Sequence, residues 1–299
     1  MAMITTNFLD MLETNLRTIY TDRFNAYPDT YTKVFNVMNS KKAKETDNSL
    51  GGLGIIPAVG ELEPVTYEDF EMGYEKEYKH IKYSLGYVIS EELIEDDQYR
   101  LMAKRPKALA NSAGYTVDRK CVDIFNYGST TTYAIGGDGK ALFATDHPLK
   151  GGGTYANRPS TDVALTGSSL QAAIVNMRLT PDDKGNILSH TPKILLVPTS
   201  LGNKAVELLN SKLLADTGNN NINSIAVLEN IVPVIWHTLT DQNNWFLLGE
   251  EHLLNFFWRK RFVSEIKKDF ETGGIKHKIT GRFSVGFSDW RDTYGSFPA

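Results

Sequence analysis

Ser90-Glu91-Glu92-Leu93-Ile94-Glu95-Asp96-Asp97-Gln98-Tyr99, running on to Asp123-Ile124-Phe125-Asn126-Tyr127, is the stretch around which the chain is organised. Ser90 stands where a helix N-cap belongs, and Glu91, Glu92 and Glu95 follow where the helix dipole favours acid. Pro106 lacks a backbone donor and clashes with the preceding turn. The spacing therefore predicts a short helix ending near Arg105 and a longer one, 106–127, opened by Pro106. Along the second, Leu109, Ala113, Val117, Cys121 and Ile124 form one apolar stripe, and Gly128 supplies the stop. Such a rod is roughly 30 Å long at about 1.5 Å per residue, a backbone on which sheets can be hung.

The 299 residues suit one or two domains with a sizeable core. A net charge of -4 argues against a dedicated nucleic-acid binder, though not against a local basic patch. The single cysteine, Cys121, excludes an intramolecular disulfide and reads as a small buried hydrophobe. No run approaches the ~20 apolar residues of a membrane span, and the N-terminus lacks a secretory signal, so the chain reads as cytoplasmic in origin.

Ahead of the rod, Phe8, Leu9, Leu12, Leu16, Ile19 and Tyr20 predict an amphipathic helix over 7–24 capped by Asn7. Residues 36–52 turn polar and lysine-bearing (Lys41, Lys42, Lys44) and end at Gly51-Gly52, the signature of a loop or hinge. Residues 61–88 are aromatic and β-branched with imperfect alternation, which predicts a long hairpin or two extended arms. This arm is acidic: Glu61, Glu63, Glu68, Asp69, Glu71, Glu75 and Glu77 outnumber Lys76, Lys79 and Lys82.

After the rod comes a Gly- and Thr-rich passage with Gly136-Gly137-Asp138-Gly139 and Gly151-Gly152-Gly153, read as flexible loops around an ordered island at 141–148. Thr166 or Ser168 caps a helix carrying Leu170, Ala173, Ile174 and Met177. A strand at 194–197, a helix near 199–210 and strands at 232–237 and 245–248 then alternate as in an α/β or α+β unit. Residues 254–290 are strand-like, with a Gly273-Gly274 turn and apolar residues at odd positions from Ile275 to Phe287. Here the charge bias reverses: Arg259, Lys260, Arg261, Lys267, Lys268, Lys276, Lys278 and Arg282 face only Glu265, Asp269 and Glu271.

Chemistry-bearing motifs do not emerge. The chain has no G-x-S-x-G elbow, Walker loop or dinucleotide fingerprint, and its six histidines are dispersed. Asp146-His147 is the one adjacent acid–imidazole pair, and neighbours on an extended segment point opposite ways. Asp96-Asp97 and Asp182-Asp183 read as helix and turn residues, and Trp236, Trp245, Trp258 and Trp290 as core or contact residues. No catalytic residue, cofactor site or metal site is assigned. The unusual features are projecting arms and opposed charge, which suit a self-associating building block.

Taken together, the layout resembles the major capsid proteins of tailed phages with the HK97 fold, nearest to the Mu-like major head subunit group. The resemblance covers nearly the whole chain as an order of elements. Its sharpest points are the 90–99 stretch leading into the rod, Leu142-Phe143-Ala144-Thr145-Asp146-His147-Pro148, and Phe283-Ser284-Val285-Gly286-Phe287-Ser288-Asp289-Trp290-Arg291. The resemblance implies an α+β fold with an N-terminal arm (1–45), an extended loop (46–88), a peripheral domain (89–189 and 251–299, with a spine helix at 106–127) and an axial domain (190–250). It implies hexamers and pentamers closing into an icosahedral shell around double-stranded DNA, with scaffolding and portal proteins as partners, assembly in the host cytoplasm and no enzymatic activity. The short N-terminus favours a separate scaffolding protein over an attached one. Within that frame the acidic arm 61–77 is expected to lie across the basic strands 259–282 of a neighbouring subunit, and Lys41, Lys42 and Lys44 to face packaged DNA. An encapsulin-like shell around protein cargo is the alternative within the fold. An α+β hydrolase using Asp146 and His147 is the alternative from another class.

Overall fold

The computed structural model describes residues 5–50, 52–69, 72–90, 92–93, 99–211, 213, 222–269 and 271–299. Helix α1 (Thr5–Asn25) packs along the rod α2 (Tyr99–Asn126). Arg23 Nε donates to Asn111 Oδ1 at 2.8 Å across that contact, and Tyr27, just beyond α1, lies against Gly114. Asn7 is thus inside α1 and not its cap. Every residue of the predicted stripe on α2 is buried.

The rod corrects the reading of Pro106. It runs through the proline unbroken, with Pro106 buried in its interior. A proline there forfeits one backbone bond and costs about 3 kcal/mol, but packing of the stripe, not local propensity, supplies most of a helix's stability. At the upstream end, Ser90 Oγ accepts from Leu93 N at 3.4 Å, in keeping with a cap. Glu91, Glu95, Asp96 and Asp97 lie outside the described residues.

Residues 36–52 are also corrected. They contain β1 (Asn36–Asn39) and β2 (Lys44–Leu50). Their pairing partners are remote in sequence: β1 runs parallel to β10 (Leu254–Lys268), and β2 antiparallel to β3 (Met72–Lys79). The hairpin is therefore β2–β3, whereas β4 (Ile81–Ile89) turns away at His80 to join the sheet formed by β10 and β11 (Ile275–Phe287). Within the 61–88 segment the first described strand is β3, from Met72. Between β2 and β3, residues 52–69 form no helix or strand. Pro57 and Pro64 cannot donate to a ladder, and Gly54 and Gly60 weaken one.

Two short strands, β5 (His147–Pro148) and β6 (Thr154–Tyr155), clip the passage after the rod. Helix α3 (Gly167–Arg178) follows, capped by Thr166, whose hydroxyl accepts from Ser169 N at 3.1 Å. Strand β7 (Pro192–Val197), helix α4 (Gly202–Asn210), the short α5 (Ser224–Leu228), β8 (Val232–Ile235), β9 (Trp245–Gly249) and, after β11, β12 (Thr293–Ser296) come next.

The strands make two four-stranded sheets, ordered β1-β10-β11-β4 and β12-β9-β7-β8. One aromatic core, including Phe35, Phe125, Phe143, Trp236, Phe246 and Phe283, joins the rod to both. A second core packs α3 and α4 against β7 and β9 through Leu170, Ile174, Ala205 and Leu247. All four tryptophans are buried, as is Cys121. Alternation along β11 holds from Ile275 to Phe283, after which Ser284 and Gly286 are buried as well. The reason is β3 and the residue after it: Ser284 Oγ meets His80 Nδ1 at 3.0 Å, and the ring of Tyr78 covers Gly286.

Candidate assembly surfaces

The β2–β3 hairpin carries the acidic arm, and its 52–69 tip exposes a run of large apolar side chains. Ile55, Ile56, Leu62 and Tyr67 are 87%, 91%, 102% and 93% exposed, and Val65 is 65% exposed. Contiguous exposed apolar residues mark a contact surface. Composition by charge alone misses this feature; the signal was present in Leu53-Gly54-Ile55-Ile56-Pro57 and Leu62-Glu63-Pro64-Val65, aliphatic residues with no helical or strand period.

The root of the tip is tied to its own subunit. Lys184 pairs with Glu68, Asn186 Nδ2 donates to the Leu53 carbonyl at 3.3 Å, and Lys150 Nζ donates to the carbonyls of Met72 and Gly73 at 2.7 and 3.1 Å. The Lys184 ammonium, helped by Gly54 N–H, holds the Glu68 carboxyl below its ordinary range.

The remaining acids are distributed as follows. Glu77 pairs with Lys44 at 3.0 Å, and Glu63 accepts from Gly60 N at 2.9 Å. Glu61, Asp69 and Glu75 are exposed, while Glu71 lies outside the described residues. On the basic side, Lys276 pairs with Asp269, just past the end of β10, at 2.8 Å, and Lys278 with Glu265 on β10 at 2.9 Å. Arg261 lies over Trp258 at 5.5 Å, and Arg259 is half-buried with Nε unpartnered. Like charges face each other where Lys260 opposes Arg282 and Lys267 opposes Lys276. Of the lysines expected to face DNA, Lys42 pairs with Glu45 at 3.1 Å, Lys44 is taken by Glu77, and Lys41 is exposed.

The glycine passage is more than a flexible loop. Asp138, held in a turn with Gly139 at φ 78, accepts from His147 Nδ1 at 2.7 Å. His147 is completely buried, its Nε2 meets Asn157 Oδ1 at 3.1 Å, and its ring stacks on Trp290 at 4.3 Å. Burial alone would raise the Asp138 carboxyl, but the His147 bond and Lys140 N–H outweigh it and hold it low. The neighbouring Asp146 instead pairs with Lys140. The sequence pair Asp146-His147 is therefore no dyad: a ring without exposure, with both nitrogens occupied, has no lone pair to offer a substrate.

A second buried network closes the C-terminal end. Arg291 donates to Asp289 and Asp183, each at 2.8 Å, and to the Pro181 carbonyl at 3.2 Å. Burial opposes its charge, and the two carboxylates more than restore it. These contacts fix the 181–187 loop, which carries Lys184 and Asn186 to the hairpin. Among the described residues, no group of His, Cys, Asp and Glu is arranged to hold a metal ion, and no helix is long and apolar enough to cross a membrane.

A rod helix serving two sheets, an acidic hairpin with an exposed apolar tip, and a long pair of basic strands make an α+β arrangement of HK97-like architecture. The model of the phage capsid protein family matches residues 73–295, and the chain belongs to that family. Its fold is shared with a chain from the procapsid of bacteriophage JBD30, at 16% identity and a TM-score of 0.53, covering 99% of this chain and 77% of that one. A chain of Mycobacterium phage Adephagia is 12% identical with a TM-score of 0.58, each covered to 90%. A chain of the virus-like particle from Pyrococcus furiosus is 8% identical with a TM-score of 0.54, covering 95% of this chain and 98% of that one. No curated protein matches by sequence.

Proposed function

We propose that this chain is the major head subunit of a tailed phage of the Mu-like group, closing through hexamers and pentamers into an icosahedral shell around double-stranded DNA. The observation that carries this reading is the family match across 73–295. In this reading the chain has no enzymatic activity, resides in the virion, assembles in the host cytoplasm, and works with scaffolding and portal proteins. Residues 1–45 act as the N-terminal arm, 46–88 as the extended loop, 89–189 with 251–299 as the peripheral domain, and 190–250 as the axial domain. Electron microscopy with light scattering on the chain expressed alone tests it. Closed shells, or rings of capsomer size, are the expected result; a stable monomer or dimer at high concentration overturns it.

The acidic arm 61–77 lies across the basic strands 259–282 of the neighbouring subunit. Single exposed ion pairs contribute only about 0–1 kcal/mol, and Lys276 and Lys278 already have partners within the chain. Charge therefore sets register and selects the partner, while burial of the Ile55, Ile56 and Leu62 side chains supplies affinity at about 25 cal/mol per Å².

The second reading, an encapsulin-like compartment around protein cargo, draws on the likeness to the Pyrococcus furiosus particle chain. Particles purified from the native source with protein inside and no DNA would favour it, as would a gene neighbourhood lacking portal and terminase.

A further inference from the structure

Between the base of the β2–β3 hairpin, β11 and the end of α2 lies a cleft of about 400 Å³. Its walls carry Lys76, Lys79 and Lys120 beside the rings of Tyr83, Tyr133 and Phe283. Tyr83 and Phe283 stack at 4.6 Å, which makes one wall flat and apolar. Lys76 is half-buried; its ammonium donates to the Ile135 carbonyl and lies 6.0 Å from the Phe287 ring. Burial holds its pKa below the ordinary lysine value. Lys120 sits 5.5 Å over Tyr133, whose hydroxyl donates to the Lys120 carbonyl at 3.0 Å.

Three carboxylates of the flanking elements are engaged elsewhere, and Glu75 is exposed outside the cleft lining. Glu77 is paired with Lys44 at 3.0 Å, Asp123 with Arg119 at 3.0 Å, and Asp47 accepts from Ser288 and from Asn255 Nδ2. Three lysines thus line an aromatic cleft whose one lining carboxylate, Glu77, is already paired with Lys44. Lys76 is the most exacting of them, because a partly buried cation is unfavourable unless an anion comes to it.

We infer that this cleft is a docking site for an acidic peptide segment of an assembly partner, with carboxylates at Lys76 and Lys120 and aliphatic side chains on the Tyr83–Phe283 wall. A carboxylate on a flexible stem reaches a recessed ammonium, whereas the phosphate of a polynucleotide is fixed in its backbone. The site is independent of the hairpin-to-strand contact proposed above and needs no shell to be present.

The probe is a fluorescein-labelled peptide of alternating glutamate and leucine, titrated by anisotropy against the full chain at low and high salt. Saturable binding that weakens with salt is expected. Lys79→Glu with Lys120→Glu lowers the affinity at least about tenfold, and Lys204→Glu, an exposed position on α4 outside the cleft, leaves it unchanged. Lys120→Ala alone, with its thermal melt checked against the parent, gives a smaller loss and guards against misfolding of the double variant. Absence of saturable binding, equal binding by the cleft variants, or tighter competing binding by a single-stranded oligonucleotide overturns the inference.

Discussion

Asp292 is 2% exposed and sits at φ 65, a left-handed conformation that Asp and Asn tolerate better than most residues. Oδ2 accepts from Glu251 N at 2.7 Å, while Oδ1 has no hydrogen bond, with His190 Nδ1 3.3 Å away. Gly249 makes room: a Cβ there would lie 1.6 Å from Oδ1. Burial, aided by Glu250 and Glu251, pushes the carboxyl up to about 7. Unfolded, it ionises near 4, so the folded state binds the extra proton and loses stability as pH rises from about 4 to 7. Asp292→Asn should remove that loss. Thermal melts are expected to place the variant above the parent at pH 8, by on the order of 2–4 kcal/mol, with the gap closing towards pH 4. His277 has the opposite sign. It is buried between Ser264 and Tyr87, and burial pushes its pKa down to about 4. An unfolded imidazole gains its proton near 6.5, so this contribution is intact above that pH and is lost as pH falls towards 4. His277→Gln should flatten the acid limb of the unfolding curve.

On the rod, Gly114 inverts the usual rule for helices. Replacing an interior glycine by alanine normally stabilises by about 1 kcal/mol. Here the new Cβ would lie 2.4 Å from Cγ of Tyr27, so Gly114→Ala should destabilise by about 1–3 kcal/mol. Denaturant melts that also include Tyr27→Ala with Gly114→Ala would separate the clash from the propensity, the double variant recovering part of the loss. The same scale explains which elements were legible. The stripe on α2, the Thr166 cap, and the strands at 194–197 and 245–248 are encoded by neighbours in the chain. Strands β1 and β2 are not: Asn36-Val37-Met38-Asn39 and Lys44-Glu45-Thr46-Asp47 have no strand period, and they become strands because β10 and β3 present free edges to them.

For the molecule as a whole, the predictions concern assembly. Lys267→Glu with Lys268→Glu should yield a folded subunit that no longer forms shells; normal shells in the microscope would remove the charged strands from the proposed contact. Ile56→Asp with Leu62→Asp should also block closure, with an unchanged melting curve, because neither side chain has a core to leave. Sedimentation of the two double variants side by side measures how assembly divides between charge and apolar burial.

The sequence by itself determined the α+β class, the rod helix, the buried tryptophans, the opposed charge of the 61–77 and 259–282 segments, and the likeness to phage capsid subunits. These follow from periodicity, composition and element order, all local properties of the chain. Only the tertiary structure decided that β3 pairs with β2, that the rod passes through Pro106, that His147 is served by Asp138 and not by Asp146, and that the hairpin tip is apolar where it is most exposed. Each of these depends on which remote residues share a surface, and the energy of burial and pairing there exceeds any preference written in neighbouring residues.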